Sequence, residues 1–381
     1  MAPIKNLIIV TGEPSGDLLA STLAAAIKEL NPQIKISAVG GRNLEKAGCE
    51  IFYDIKELAI MGLFDVLKNL PKFFNLKKLI LKKIGSQKPD AIILVDFSGF
   101  NLRLAKAINK KIPVIYYVSP QVWASREGRI NTIKKFISLM VVLFEFEEKF
   151  YAKNGIKVFW AGHPLLDTVK PALKKEEFAD KLGISPSEKI IALLPGSRKQ
   201  EIKIILPIML KTASIIKKTI PQAQFVVAKA ANLDPALYES LYKEYKLNLK
   251  IIEGKTYDCL NSADVSLVCS GTATLEAAII TKPYLIVYKT NFLNYLLYRP
   301  QIKVPYIGMV NIVAGKRIVP EFIQFGANPK KISDSILKLL QNQEYACQLT
   351  QNLLAVKNSL GEPGASARAA KLILDYLQNR R

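Results

Sequence analysis

The sequence predicts two doubly wound α/β domains in tandem. Three observations carry that prediction: short continuous apolar runs recur along the chain, helical periods separate them, and the series restarts after a stretch rich in proline, glycine and charge. Such runs mark parallel strands buried on both faces, because crossover helices cover the sheet on each side. With 381 residues, half of them apolar, there is material for two cores of ordinary domain size.

In the first half the strand-like runs are NLIIV (6–10), KISAV (35–39), AIILV (91–95), VIYYV (114–118), LMVVLF (139–144) and KVFWA (157–161). The second half offers IIALL (190–194), QFVVA (224–228), LKIIE (249–253), VSLVC (265–269) and YLIVY (284–288). Between them, stretches such as LLASTLAAAIKEL (18–30) and EIKIILPIMLKTASIIKK (201–218) repeat apolar residues three and four apart. The break falls in 162–189, giving domains of 1–165 and 166–354. A cleft between them is the expected working site, since open α/β sheets bind ligands beyond the carboxyl ends of their strands.

Lys and Arg total 54 against 32 for Asp and Glu, a net charge of +22 that calls for anionic partners. Neither helix-turn-helix signs nor zinc-ligand spacings are present, which argues against the common nucleic-acid modules. The cysteines at 49, 259, 269 and 347 form no C-x-x-C pair, as in a reduced cytosolic protein. The N-terminus enters a strand at once without signal-peptide zones, and FISLMVVLF (136–144) is too short to span a bilayer. The expectation is a soluble or peripheral protein.

The loops after the strands carry the chemistry. In LVCSGTATLEAAII (267–280) a strand ends at Cys269 and a helix follows Ser270, Gly271 and Thr272, so amides and several hydroxyls, Thr274 among them, converge at a positive helix end. Glu276 suits a ribose diol there, or an ordinary helix surface. IALLPGSRKQEI (191–202) repeats the device with Gly196, Ser197 and Arg198, whose planar guanidinium fits phosphate oxygens. Two strand-end anion sites in one domain point to a bound pyrophosphate. Gly254, after LKIIE, joins the donor-side candidates. So do Asn311, Glu321 and Gln324 in 304–324, as readers of sugar hydroxyls or as loop and cap residues.

In the first half, ILVDFSGFNLRLAK (93–106) puts Asp96 at a strand end before a turn, with Asn101 behind it. A carboxylate so placed is a general-base candidate or a helix cap. YYVSPQVWASREGRI (116–130) ends the next strand at Ser119-Pro120 and exposes Trp123, Arg126 and Arg129. His163 is the only histidine, so any imidazole base must be this one; a structural or ligand-positioning role at the hinge is the alternative. No Ser-His-Asp set and no metal cluster assembles from these residues, which favours metal-free acid–base chemistry.

The segment 61–84 sets Leu63, Leu67, Leu70 and Phe74 on one helical side and Asp65, Lys68, Lys72 and Asn75 on another. That pattern fits a helix lying on an anionic bilayer, with Phe64 and Phe73 alongside, or a crossover helix packed on the sheet. The first glycine loop, VTGEPSGDL (10–18), resembles a phosphate cradle, but Glu13 and Asp17 would repel phosphate.

Taken together, GEPSGDLLAS, MGLFDVLKNLP, DFSGFNLRLAK, YYVSPQVWASREGRI, FEEKFY, AGHPLLD, LLPGSRKQEI, CSGTATLEAA and VPEFIQ, in that order from residue 12 to about residue 324, resemble the lipid-A-disaccharide synthases. The resemblance implies a GT-B fold, two Rossmann-like domains facing across a cleft, the acceptor half first and the UDP-sugar half second. A C-terminal helix, about 355–381, is then expected to return to the first half. It implies transfer of 2,3-diacylglucosamine from UDP to 2,3-diacylglucosamine 1-phosphate with inversion, without metal or cofactor, at the cytoplasmic face of a Gram-negative inner membrane. Asp96 takes the base role and Arg198 the leaving-group role. Ser98 and Gly99 depart from the usual Pro-[Gly/Asp] of the turn, so only Asp96 carries the base over. The donor phosphates then belong to the second half, and Glu13, Ser15, Gly16 and Asp17 are left to face sugar hydroxyls or shape the cleft. Competing readings are another UDP-N-acetylglucosamine transferase or epimerase of this fold, and a non-catalytic nucleotide-binding membrane adaptor. A homodimer exchanging C-terminal helices is neither required nor excluded.

Overall fold

The computed structural model describes residues 3–58, 70–231, 233–245 and 247–380. The chain divides into two compact units, Met1–Asp167 with Gln301–Lys303 and Leu360–Arg381, and Thr168–Pro300 with Val304–Ser359.

The first unit is built on strands β1 (Asn6–Val10), β2 (Lys35–Gly40), β3 (Glu50–Asp54), β4 (Ala91–Val95), β5 (Val114–Tyr117), β6 (Leu139–Val142) and β7 (Val158–Trp160), in the sheet order β3-β2-β1-β4-β5-β6-β7. All pairings are parallel. Every residue of β4, β5 and β6 is buried, which is why those runs are apolar without alternation. Helix α1 (Pro14–Leu30) leaves β1 with Glu13 at its N-cap and Pro14 in its first turn, where a missing N–H costs nothing. Helix α2 (Leu70–Gln87) lies between β3 and β4 and buries Leu76 and Ile80. Helices α3 (Ser98–Ile108) and α4 (Glu145–Lys153) follow β4 and β6.

The second unit repeats the design with β8 (Ile190–Leu194), β9 (Gln224–Lys229), β10 (Leu249–Glu253), β11 (Val265–Cys269), β12 (Tyr284–Tyr288) and β13 (Glu321–Ile323), ordered β10-β9-β8-β11-β12-β13 and again parallel. Helices α5 (Lys199–Thr219), α6 (Ala273–Ile280), α7 (Phe292–Tyr298) and α8 (Met309–Ala314) follow β8, β11 and β12.

The chain then returns to the first unit. Helix α9 (Ala365–Gln378) packs along α1 and buries Ala369, Ile373 and Leu377 at helical spacing. Each of the two larger side chains contributes roughly 1.5–3 kcal/mol. Ser366 Oγ meets Thr22 Oγ1 at 2.9 Å, and Arg368 Nε donates to the Ala161 carbonyl at 3.0 Å.

In both sheets the strand order reverses beside the first strand of the unit. The two switch points, β1/β4 and β8/β11, put the loops 11–17 and 96–101 side by side, and likewise the loops 195–198 and 270–272. Loops at such a reversal splay apart and leave the crevice where open α/β sheets take ligands.

Candidate active site

At the first switch point the chain leaves β4 in an uncommon conformation. Asp96 and Phe97 both have positive φ, 47° and 46°, and Val118, just past β5, has φ 63°. Left-handed backbone at non-glycine residues costs of order 1–3 kcal/mol each and persists where surroundings over-determine it. Here the surroundings are visible. The Asp96 carbonyl accepts from Tyr116 Oη at 2.5 Å and Asn101 Nδ2 at 2.9 Å. The Phe97 ring stacks on Phe100 with centroids 5.3 Å apart and meets Phe73 at 6.0 Å. Its other neighbour is Gly12, where any Cβ would strike the Phe97 ring. The Asp96 side chain thus stands half-buried on a backbone fixed from two sides.

The β1 loop closes against the same place. A Cβ on Gly16 would collide with Thr11 Oγ1 and lie 3.9 Å from Asp96 Cβ, so α1 begins directly beside the carboxylate-bearing turn. Glu13 and Ser15 are half-buried in that first turn. Asp17 is not on the loop's surface: it is buried, and its two oxygens accept from Gly41 N at 2.6 Å and Asn43 N at 3.0 Å, capping the short helix after β2. It shapes the turn from within. Arg129 Nη1 donates to Ser98 Oγ at 3.0 Å at the start of α3. Burial first, then the charges of Arg126 and Arg103, hold the Arg129 pKa below its usual range, so three guanidiniums gather near this helix end.

In the second unit, Gly196 has φ +109°, and a Cβ there would sit 2.6 Å from Glu201 Oε2. Glu201 organises the loop. Its Oε2 accepts from the amides of Ser197 at 3.2 Å and Arg198 at 3.3 Å, and its Oε1 from Arg198 Nη1 at 2.9 Å. Arg198 remains about half exposed, 45% of its side chain. Its charge also acts on the Cys269 thiol, which burial pushes up to about 12, so the β8 and β11 loops adjoin. At the end of β11, Gly271 has open space beside its Cα, and Gly271 and Thr272 are exposed at the entry to α6. Thr274 is buried and donates to the Gly271 carbonyl at 2.8 Å, so it shapes the turn from behind. Glu276 accepts from Tyr257 Oη at 3.2 Å; burial raises its pKa. Gly254 (φ +69°) turns the chain at the end of β10, three residues before Tyr257.

Ser270 Oγ donates to the Ile307 carbonyl at 3.4 Å, which ties the β11 turn to the loop before α8. That loop is held by Glu321, whose oxygens accept from Ile307 N at 3.0 Å, Gly308 N at 2.9 Å and Asn311 Nδ2 at 2.8 Å. Asn311 is fully buried and spends its remaining bonds on Val319 O, Ile318 N and Val319 N. Gln324 is buried as well, its amide exchanging two hydrogen bonds with the Thr290 backbone at 3.1 and 2.9 Å. Asn311 and Gln324 therefore sit behind the loops and fix them. Among the described residues no three of His, Cys, Asp or Glu converge to hold a metal ion.

A model of the lipid-A-disaccharide synthetase family matches residues 7–373. A lipid-A-disaccharide synthase of Syntrophus aciditrophicus is 40% identical over 376 residues, 98% of each chain. Lipid-A-disaccharide synthase 1 of Legionella pneumophila is 37% identical over 382 residues, covering both chains completely. The chain belongs to the lipid-A-disaccharide synthase family. It is therefore a glycosyltransferase of lipid A assembly. Among solved structures, a S. aureus MnaA–UDP complex superposes with TM-score 0.65 at 14% identity, covering 98% of this chain and 97% of that one. A Neisseria meningitidis UDP-GlcNAc 2-epimerase bound to UDP-GlcNAc gives 0.61 at 17%, covering 98% and 100%. At such identities the likeness speaks for the fold alone, which is GT-B.

Within this member of the family several expected site residues take supporting places. His163 is buried, its Nδ1 accepts from Leu165 N at 3.1 Å, and its ring packs on Phe144. Burial lowers its pKa to about 3. With Nδ1 engaged by the Leu165 amide and the cation disfavoured by burial, the geometry fits the structural reading of His163 at the hinge. Ser119 is buried and donates to Glu147 Oε1 at 2.7 Å; half-buried Trp123 Nε1 donates to the same oxygen at 3.0 Å. Of the membrane-segment residues, Leu63, Phe64 and Leu67 lie outside the described residues. Phe73 is half-buried and belongs to the aromatic cluster with Phe97 and Phe100 rather than to a lipid-facing stripe, because those rings cover it. Phe74 is 56% exposed. Among the described residues no helix is long and apolar enough to cross a membrane.

Sequence reasoning passed over Glu201, Glu147, Tyr116 and Tyr257. Glu201 had a readable signal, an acidic residue three positions into a helix after a polar cap, the capping-box spacing. The others act across strands, and nothing in linear spacing announces that.

Proposed function

We propose that this enzyme moves a 2,3-diacylglucosamine from UDP onto the 6-hydroxyl of 2,3-diacylglucosamine 1-phosphate, with inversion. The observation that carries the reading is the half-buried Asp96 on a backbone locked in the left-handed region by Tyr116 and Asn101 at the β1/β4 switch point. A fixed carboxylate there is suited to take the proton of the acceptor hydroxyl as that oxygen bonds the anomeric carbon and the bond to the UDP oxygen breaks. In the second unit the Arg198 guanidinium and the amides of Gly271 and Thr272 neutralise charge growing on the departing diphosphate, and Glu276 takes the ribose hydroxyls. Glu13 and Ser15 serve the acceptor sugar. Asn311, Gln324, Thr274 and Asp17 position these loops. Because both substrates carry acyl chains, the enzyme works at the cytoplasmic face of the inner membrane, where the net charge of +22 favours anionic lipid.

Replacing Asp96 by Asn tests the reading. It keeps size and backbone, so turnover should fall roughly 100-fold or more while UDP binding stays at the parent level. Turnover within a few-fold of the parent would assign the base elsewhere, with Glu13 the next carboxylate in the first unit.

A further inference from the structure

Helix α7 in the second unit presents a face that the sequence pattern did not single out. Phe292, Leu293 and Leu296 are 55%, 55% and 58% exposed, and Phe325, just past β13, is 79% exposed. Phe292 and Phe325 meet edge to face with centroids 6.2 Å apart, so the two elements form one apolar surface. That surface is built in. Gln324, next to Phe325, clasps the Thr290 backbone, two residues before α7, through both ends of its amide, and Asn291 caps the helix through Leu293 N at 2.9 Å. A monomeric soluble protein rarely leaves so continuous an apolar patch in water without a partner for it.

The charge around the patch says what the partner is. The sequence around α7 is basic: between Glu276 and Glu321 it has no acidic residue, and the cations that flank the helix directly are Lys289 and Arg299. Lys289 and Arg299 stand exposed at the two ends of α7, whose own seven residues carry no charge. A second copy laid on this face would set the same cations against one another, which disfavours a self-pairing interface. Apolar and aromatic side chains between flanking cations match a bilayer interface, hydrocarbon below and anionic headgroups around.

We propose that α7 and Phe325 form a docking face for anionic phospholipid, Phe292, Leu296 and Phe325 entering the acyl boundary and Lys289 and Arg299 pairing with headgroup phosphates. This extends the membrane-surface part of the functional reading, and its test uses no sugar substrate, so its failure would leave the transfer reaction standing. The probe is sedimentation of the full chain with phosphatidylglycerol/phosphatidylethanolamine vesicles and with phosphatidylcholine vesicles. The parent should bind the anionic vesicles preferentially and lose binding as salt rises. The triple variant Phe292→Ser, Leu296→Ser, Phe325→Ser should bind them at least about tenfold more weakly with an unchanged melting temperature, since all three side chains are exposed. In a separate Phe325→Trp variant, emission should shift to the blue on adding anionic vesicles. Parent-like sedimentation of the triple variant, or no blue shift, overturns the proposal. So does a parent dimer that the triple variant splits without any change in vesicle binding, because a second copy would then be the occupant.

Discussion

The phenol of Tyr116 donates to the main-chain oxygen of Asp96 at 2.5 Å from the neighbouring strand. Tyr116 is fully buried, and burial first, then the Asp96 charge, push its pKa well above the usual phenol range, so it remains a donor at every working pH. The bond falls on the carbonyl of a residue with φ 47°, and it stabilises a conformation the backbone would otherwise leave. Tyr116→Phe should therefore lower kcat roughly three- to tenfold through a less fixed carboxylate and cost about 1 kcal/mol of stability. UDP affinity, which the proposed function assigns to the other unit, should not change. Steady-state kinetics beside calorimetric UDP titration would separate the two, and a variant that weakens UDP binding as much as turnover would contradict the assignment.

Glu201 gathers the loop that presents Arg198. Removing it in Glu201→Ala frees the amides of Ser197 and Arg198 and leaves the guanidinium without its 2.9 Å partner. Reordering them on binding should weaken UDP roughly tenfold, and Arg198→Ala, which loses the charge-assisted contact itself, should weaken it further, by about 1.5–3 kcal/mol. Calorimetry on both variants gives the order. Equal UDP affinity in Glu201→Ala and the parent would mean that the Pro-Gly turn is rigid unaided.

Much of this was legible in the chain. The eleven apolar runs are strands because crossover helices hide both their faces, and the restart at Ile190 marks a second sheet with the same order of strands. Asp96 and Arg198 could be placed on strand-end loops because each follows an apolar run. What stayed hidden was the difference between touching a ligand and holding what touches it. Asn311, Gln324 and Asp17 read as polar loop residues, yet each turns inward because a buried backbone N–H or carbonyl must find a partner, and linear sequence does not record which side chain supplies it. The exposed α7 face is not written in the sequence either: FLNYLLY carries no charge, and nothing in its linear pattern says that Phe292, Leu293 and Leu296 stay uncovered.

Asn311 and Glu321 form the joint behind the loop that leads into α8. Asn311→Asp would put a second carboxylate 2.8 Å from Glu321 Oε1 in a buried place and leave the Val319 carbonyl without its donor. The cost should be about 3 kcal/mol of stability, with a raised donor KM because repulsion displaces the Glu321 carboxylate that anchors the Ile307 and Gly308 amides. Adding Glu321→Gln restores a donor between the two side chains and should recover part of both losses. Chemical denaturation with donor saturation curves reads the pair, and a double variant no better than the single would show that the two residues act separately.

Stability against pH should reveal two buried groups of opposite sign. His163 has a folded pKa near 3, below its ordinary value of 6.5, because burial disfavours the cation. The unfolded chain then binds the proton more readily, so stability falls as pH drops below 6.5, by about 2 kcal/mol between pH 7.5 and pH 5. Glu147 runs the other way. Burial, opposed by bonds from Ser119, Trp123 and the Phe144 amide, raises its pKa from 4.5 to about 6. The folded state holds that proton more tightly, and the same acidification adds about 1 kcal/mol. The two partly cancel in the parent. His163→Asn, which keeps an acceptor for Leu165 N, should leave a protein that gains stability toward pH 5, whereas Glu147→Gln should leave one that loses it more steeply than the parent. Denaturant midpoints measured at pH 5 and 7.5 for the three proteins decide the matter, and parallel shifts in all three would mean that neither group titrates differently on folding.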